Sequence, residues 1–288
     1  MKQVLSIHRR GEGHWVGDGF PVHSIFSYHG LTTELTPFLL LDHAGPAQFE
    51  PSAKPRGVDW HPHRGFETVS IAYEGEVDHE DTAGNRGSIG RGDVQWMTAG
   101  AGVLHKEMHG HAYAKRGGRF EMLQLWVNLP ADLKMTAPRY QTLLARDIPV
   151  VSLPENGGTV RVIAGEFSGA SGPAKTFTPI QLLDVQLRAG QRLRLNLHDG
   201  YTAAFYLTEG SIKINAADNA SETELVIFER AGDEVTIEAV TDANIFVMNG
   251  QPIDEPIVGH GPFVMNTQEQ IAQAFVDLQH GKFGDIPN

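Results

Sequence analysis

His61-Pro62-His63 and, further along, His105-Lys106-Glu107 decide how this chain is read. Each stretch holds two metal-binding side chains at i and i+2. Successive side chains of a β-strand alternate faces, so residues i and i+2 point the same way, about 6.5–7 Å apart. Two such strands facing one another can bring three imidazoles and one carboxylate to a single point. Neutral imidazole together with carboxylate suits borderline divalent ions such as iron, manganese, nickel, copper or zinc. One metal ion held inside a β-barrel is the expectation.

The surrounding sequence is consistent with strands. Residues 68–72 are rich in β-formers, and Tyr73-Glu74-Gly75-Glu76-Val77 continues that character into an acidic turn. Residues 78–84 are polar and end in Gly84-Asn85, a turn signal. Gly90-Arg91-Gly92-Asp93 leads into the short strand Val94-Gln95-Trp96-Met97, and residues 120–129 alternate as a long strand stopped by Pro130. Short strands at close spacing with glycine-rich turns predict a sandwich or barrel. Pro62 cannot donate to a ladder and so belongs at a strand start or sheet edge.

The second half repeats this grammar. Residues 181–187 and 191–197 read as strands, the latter alternating arginine and leucine with period two. Tyr201 to Leu207 runs to Glu209-Gly210 as Val69 to Tyr73 runs to Glu74-Gly75, and Gly232-Asp233 precedes Val235 as Gly92-Asp93 precedes Val94. Those matches suggest an internal duplication. A junction over residues 131–148 then separates an N-terminal domain, 1–130, from a C-terminal one, 149–288. Near the end, Thr267-Gln268-Glu269-Gln270 has the capping-box form. Ile271, Ala274, Phe275 and Leu278 follow as one apolar helical stripe, and Gly281 ends it. This stripe predicts a helix that clamps the C-terminus onto a barrel.

Composition excludes several classes of function. There is no cysteine among the 288 residues, which removes disulfides, thiolate ligands and a cysteine nucleophile. Thirty-five acidic against 23 basic residues give a formal charge of −12, which disfavours nucleic-acid binding through phosphate neutralisation. The first ten residues have no stretch resembling a signal peptide, and no uninterrupted apolar run approaches a membrane span. A cytoplasmic protein is the expectation.

The residues also carry a resemblance. His61-Pro62-His63-Arg64-Gly65-Phe66-Glu67-Thr68-Val69-Ser70 resembles the signature of the pirins, members of the cupin superfamily, and so does the run from Gly92-Asp93-Val94 through Val103-Leu104-His105-Lys106-Glu107-Met108. Pro37-Phe38-Leu39-Leu40-Leu41-Asp42-His43 and Gly261-Pro262-Phe263-Val264-Met265-Asn266-Thr267 agree as well. The resemblance implies an all-β bicupin: two antiparallel, jelly-roll-like barrels side by side, with a C-terminal helix. It implies one divalent metal in the N-terminal barrel, iron(II) foremost with manganese, nickel, copper, cobalt or zinc as alternatives, held by His61, His63, His105 and Glu107. The first-motif glutamate of ordinary cupins would correspond to Glu67, which the pirin pattern leaves structural. In the second half, the region matching the first motif offers only His198-Asp199-Gly200, and no histidine lies between Gly232-Asp233 and His260, so a second metal is not expected.

The activity implied is cleavage of quercetin-like flavonols by dioxygen with loss of carbon monoxide, Glu107 serving as the catalytic base. The alternative is a regulatory protein whose metal-bound barrel docks on a transcription factor or metabolic enzyme. Phe66, Trp96, Met97 and Leu125 are candidates for a pocket lining or for ordinary core. Gln124 wants a partner if it points inward. His109 and His111 continue the i+2 spacing, but Gly110 favours a strand that ends near Met108 and leaves both exposed. His79, in Asp78-His79-Glu80-Asp81, reads as a solvated hairpin tip.

Overall fold

The computed structural model describes residues 1–287. The chain forms two compact units, and each draws on separate stretches of sequence. One comprises Gly11–Thr32, Phe38–Ala145 and Ile253–Asn288, with the last residue outside the description; the other comprises Met1–Arg10, Thr33–Pro37 and Arg146–Pro252.

The unit that carries the histidine motifs has a seven-stranded and a four-stranded antiparallel sheet. In spatial order the larger sheet runs Arg139–Leu143, Val94–Thr98, Phe66–Glu74, Gly118–Asn128, Phe38–Phe49, Phe20–Phe26, Gly13–Val16. The smaller runs Gly57–His63, Val103–His109, Val77–Asp81, Arg86–Ile89. Phe20, Val22, Ala44, Ala72, Phe120 and Met122 of the first pack with Val77 and Ile89 of the second in one core. This is the alternation of an inner apolar and an outer polar face that two stacked sheets require.

The second unit repeats the plan. Its seven-stranded sheet runs Val4–Arg9, Glu224–Phe228, Thr202–Glu209, Ala243–Gly250, Ile180–Leu187, Gly158–Ala164, Val150–Ser152, and its four-stranded sheet Arg192–Asn196, Glu234–Ala239, Ser211–Ile214, Asp218–Ser221. The matched Glu-Gly turns of the sequence correspond, with Gly75 and Gly210 at φ of 90° and 81°. In this order Arg192–Asn196 stands where Gly57–His63 stands in the first unit. Its inward residues are Leu193 and Leu195, and those of the neighbouring strand are Val235 and Ile237. The positions that hold imidazoles in one unit hold hydrocarbon in the other.

The expected closure into barrels does not occur. Closure requires the first and last strands of a sheet to pair with one another. Arg139–Leu143 and Gly13–Val16 remain separate outer strands, as do Gly57–His63 and Arg86–Ile89. Pro62, which has no N–H to offer a further strand, sits on the edge strand Gly57–His63, as its chemistry requires. The opposite edge, Arg86–Ile89, is only four residues long and buries only Ile89. The fold is all-β and multi-sheeted, with open sheets and a C-terminal helix, in place of the two closed barrels anticipated.

That helix is Gln268–Gln279, and Thr267 makes the capping box with Gln270, an arrangement that contributes about 1 kcal/mol. Ile271 and Ala274 pack with Phe263, Met265 and Phe283, with Leu104, Phe275 and Leu278 at the margin. Asp277 is fixed by Arg64, whose guanidinium Nη1 donates to its Oδ2 at 2.8 Å. The helix is thereby tied to the residue that follows His63. Among the described residues no helix is long and apolar enough to cross a membrane.

Candidate metal centre

Gly57–His63 and Val103–His109 are antiparallel neighbours, and His61 is the direct partner of His105. The burial pattern of Val103–His109 alternates strictly, so Val103, His105, Glu107 and His109 all point inward. A bulge between His105 and Glu107 shifts the register, which sets Glu107 opposite Val58. The three imidazoles converge, with ring centroids 4.2 Å apart for His61–His105 and 4.9 Å for both His61–His63 and His63–His105. Their donor atoms all lie within 4.8 Å of one another.

The hydrogen bonds select which nitrogens are free. His61 Nδ1 lies 2.9 Å from the Asp59 carbonyl and His63 Nδ1 3.4 Å from the Pro262 carbonyl. Each imidazole therefore donates through Nδ1 and keeps Nε2 as a lone pair. His105 Nε2 is buried and has no hydrogen-bond partner. An orphaned buried nitrogen of this kind is costly unless something binds it. Burial holds His63 and His105 well below the ordinary histidine range, and the neighbouring imidazoles push them the same way. Neutral imidazole is the ligating form, so this donor set fits a divalent ion.

Glu107 is buried but lies outside that tight grouping of three. Its carboxylate accepts from Ser70 Oγ at 3.4 Å and from Gln124 Nε2 at 3.2 and 3.4 Å. Gln124 thus points inward and spends its amide on the carboxylate. Glu107 shares a cavity of about 280 Å³ with His61, His63, Gln124, Trp126 and Asp42, and its apolar wall includes Val16, Phe20, Val22 and Met122. Trp126 stacks on Phe66 at 4.2 Å and meets His63 edge-on at 5.2 Å. Ser24 Oγ donates to Asp42 at 2.6 Å, while burial raises the Asp42 carboxyl.

Other candidates fall elsewhere. Phe66 supports the ring of His63, at 5.2 Å, from within the core. Trp96, Met97 and Leu125 are buried core residues outside the cavity wall. Glu67 accepts from Thr98 Oγ1 at 2.7 Å, and burial pushes its carboxyl up to about 7. The strand does not end at Met108: His109 is its last residue, buried among Phe20, Phe49, Phe120 and Tyr113 with Nε2 on the Gly19 carbonyl. His111 is exposed at the start of a short helix.

His79 also departs from the expectation of a solvated hairpin tip. The turn falls at Gly75, and Val77–Asp81 is a strand paired with Val103–His109. Its residues Val77, His79 and Asp81 are buried. His79 lies 3.4 Å from His105, between Nδ1 atoms, and stacks on Tyr140 at 4.7 Å. The signal was present in the alternation of residues 77, 79 and 81, but the surrounding charges masked it.

Gly65 shows how tightly the site is backed. It has φ of +90°, and a Cβ there would stand 2.0 Å from the Val264 carbonyl oxygen. Only glycine lets the turn after His63 pass that segment.

An all-β protein with a buried three-histidine cluster beside an apolar cavity is built to chelate a divalent ion where a small ligand can reach it. Comparison with known proteins gives the lineage. Residues 19–127 match the Pirin family and residues 182–284 the Pirin C-terminal cupin domain. A Pseudomonas aeruginosa protein, provisionally named a quercetin 2,3-dioxygenase, is 50% identical over 283 residues, which cover 98% of this chain and 99% of that one. Human Pirin is 40% identical over 257 residues, 87% of this chain and 83% of its own. The crystal structure of a quercetin 2,3-dioxygenase from Acinetobacter baumannii superposes with a TM-score of 0.97 at 49% identity and covers all of both chains. The chain belongs to the pirin family.

Proposed function

We propose that this chain is a metal-dependent dioxygenase of the pirin type, which cleaves quercetin-like flavonols with dioxygen and releases carbon monoxide. One observation carries the reading: three imidazoles converge to a cluster whose donor atoms lie within 4.8 Å of one another, and two of them, His61 and His63, line an apolar cavity that also presents the buried Glu107 carboxylate. Relatives at about half identity over essentially the whole chain supply the reaction class through their names. His61, His63 and His105 would hold the metal with Glu107 as a fourth ligand, and iron(II) is the ion we propose. When bound, the metal supplies Lewis acidity and an open position for substrate.

The protein's own part is binding and proton handling. Trp126, Phe20, Val22 and Met122 enclose the aromatic rings and exclude water. Glu107 takes the proton of the flavonol 3-hydroxyl on a carboxylate oxygen. Gln124 and Ser70 keep the carboxylate oriented as it does so. The test is oxygen uptake and carbon monoxide release by metal-loaded protein given quercetin. Equal amounts of oxygen consumed and carbon monoxide formed are expected; no carbon monoxide from fully iron-loaded protein overturns the reading.

A further inference from the structure

We infer that His79, locked by Asp81, is a positioning residue that fixes the tautomer of His105 and so aims the His105 Nε2 lone pair at the metal. The inference rests on the reading that the three imidazoles bind an ion. It starts from Asp81, whose carboxylate accepts from the Ala83 and Asn85 backbone N–H groups, each at 2.9 Å, and from Asn85 Nδ2 at 2.9 and 3.1 Å. A carboxylate so held can only accept from His79 Nε2, 3.3 Å away. In the neutral imidazole the proton therefore sits on Nε2, which leaves Nδ1 as the acceptor. Two donors face that acceptor: Gln95 Nε2 at 2.9 Å and His105 Nδ1 at 3.4 Å.

The reverse arrangement is electrostatically poor. Turning the Gln95 amide would put its oxygen on His79 Nδ1 and draw the proton there. A bare Nε2 would then face the Asp81 carboxylate, lone pair against charge. With the order Asp81, His79, His105, the His105 N–H shares the His79 Nδ1 lone pair with the Gln95 amide, and His105 Nε2 is left as a buried nitrogen without a protein partner, as is the Gln95 Oε1 oxygen beside it. Tyr140, stacked on His79 with 21° between the rings, holds the ring plane. Metal-bound histidines ordinarily direct their second nitrogen at a carboxylate or carbonyl, and such supports typically set about 10–100-fold in metal affinity. In this chain an imidazole is interposed between the carboxylate and the ligand.

The experiment is cobalt(II) titration against a competing chelator, with the visible spectrum of the bound ion recorded, on full-length wild type, His79→Leu, His79→Asn and His105→Ala. Leucine removes the acceptor; asparagine can return one at the position of Nδ1. Expected are an affinity about 10–100-fold weaker and an altered cobalt spectrum for His79→Leu, with recovery of both in His79→Asn. Wild-type affinity and spectrum in His79→Leu overturn the inference, as does an asparagine variant as weak as the leucine one, since a packing defect alone would then suffice. If His79→Leu does not fold, Asp81→Asn replaces it with the same expectation. Wild type that binds no cobalt, or His105→Ala that binds it equally well, defeats the metal-site reading itself and the inference with it.

Discussion

The side-chain nitrogen of Gln124 reaches both oxygens of Glu107, at 3.4 Å to Oε1 and 3.2 Å to Oε2. Gln124 also reaches Ser70 Oγ at 3.3 Å, and Ser70 in turn donates to Glu107. The Glu107 carboxylate is thus held by two neutral donors. Neutral donors orient it without forming an ion pair.

Replacing Gln124 by leucine removes the amide and leaves Ser70 alone. A hydrogen bond to a charged group contributes roughly 1.5–3 kcal/mol, so kcat on quercetin is expected to fall about ten- to a hundredfold. Bound metal, measured by elemental analysis, should stay at the wild-type level. Loss of metal in proportion to activity would show that Gln124 supports the ion and not the base.

Metal should stabilise the fold through the same imidazoles. An ion that binds only the native state at a hundred times its dissociation constant adds about 2.7 kcal/mol. Thermal unfolding with and without nickel(II) is expected to show an upward shift in wild type that disappears in His105→Ala. A shift of the same size in the variant would place the ion elsewhere.

Glu67 gives a pH dependence whose sign is fixed. Burial raises its carboxyl to about 7 in the fold, against about 4.3 in an unfolded chain. Between those values the folded state retains a proton that the unfolded state has lost, so this residue's contribution to stability falls as pH rises and levels off above 7. Glu67→Gln keeps an uncharged side chain at every pH. Its melting temperature relative to wild type should climb from pH 5 to pH 8; a flat difference would contradict the assignment.

Asp277 pairs with Arg64 where both side chains are almost wholly buried. Asp277→Ala leaves the guanidinium of Arg64 with the Ala101 carbonyl and the Phe283 ring but no carboxylate. Removing one partner of a buried pair costs roughly 3–5 kcal/mol. Denaturant unfolding should show a loss of that order, with a smaller loss when Arg64→Met accompanies Asp277→Leu. Equal losses would mean that the ion pair is not what holds the helix.

Much of the site was legible because it is local. His61 with His63, and His105 with Glu107, are each read from period two along one strand, and the Thr267 capping box depends on four consecutive residues. What escaped depends on partners distant in sequence. His79 looked like part of a charged turn until pairing with Val103–His109 made it an inward strand residue. Trp126 and Asp42 reach the cavity from the larger sheet, and which face of that sheet is inner is set by the sheet opposite. Closure failed for the same reason: strand spacing predicts strands, but whether Arg139–Leu143 meets Gly13–Val16 depends on twist and stagger summed over seven strands.

The most direct test of the central claim, that Glu107 is the base at a three-histidine metal site, is to measure metal content and carbon monoxide release side by side in wild type and Glu107→Gln, each loaded with iron(II) and given quercetin. The account predicts a variant that retains its metal while carbon monoxide release falls by about 10²–10⁴-fold. A variant that loses metal and turnover together would make Glu107 a ligand only, and one that keeps both would remove it from the chemistry.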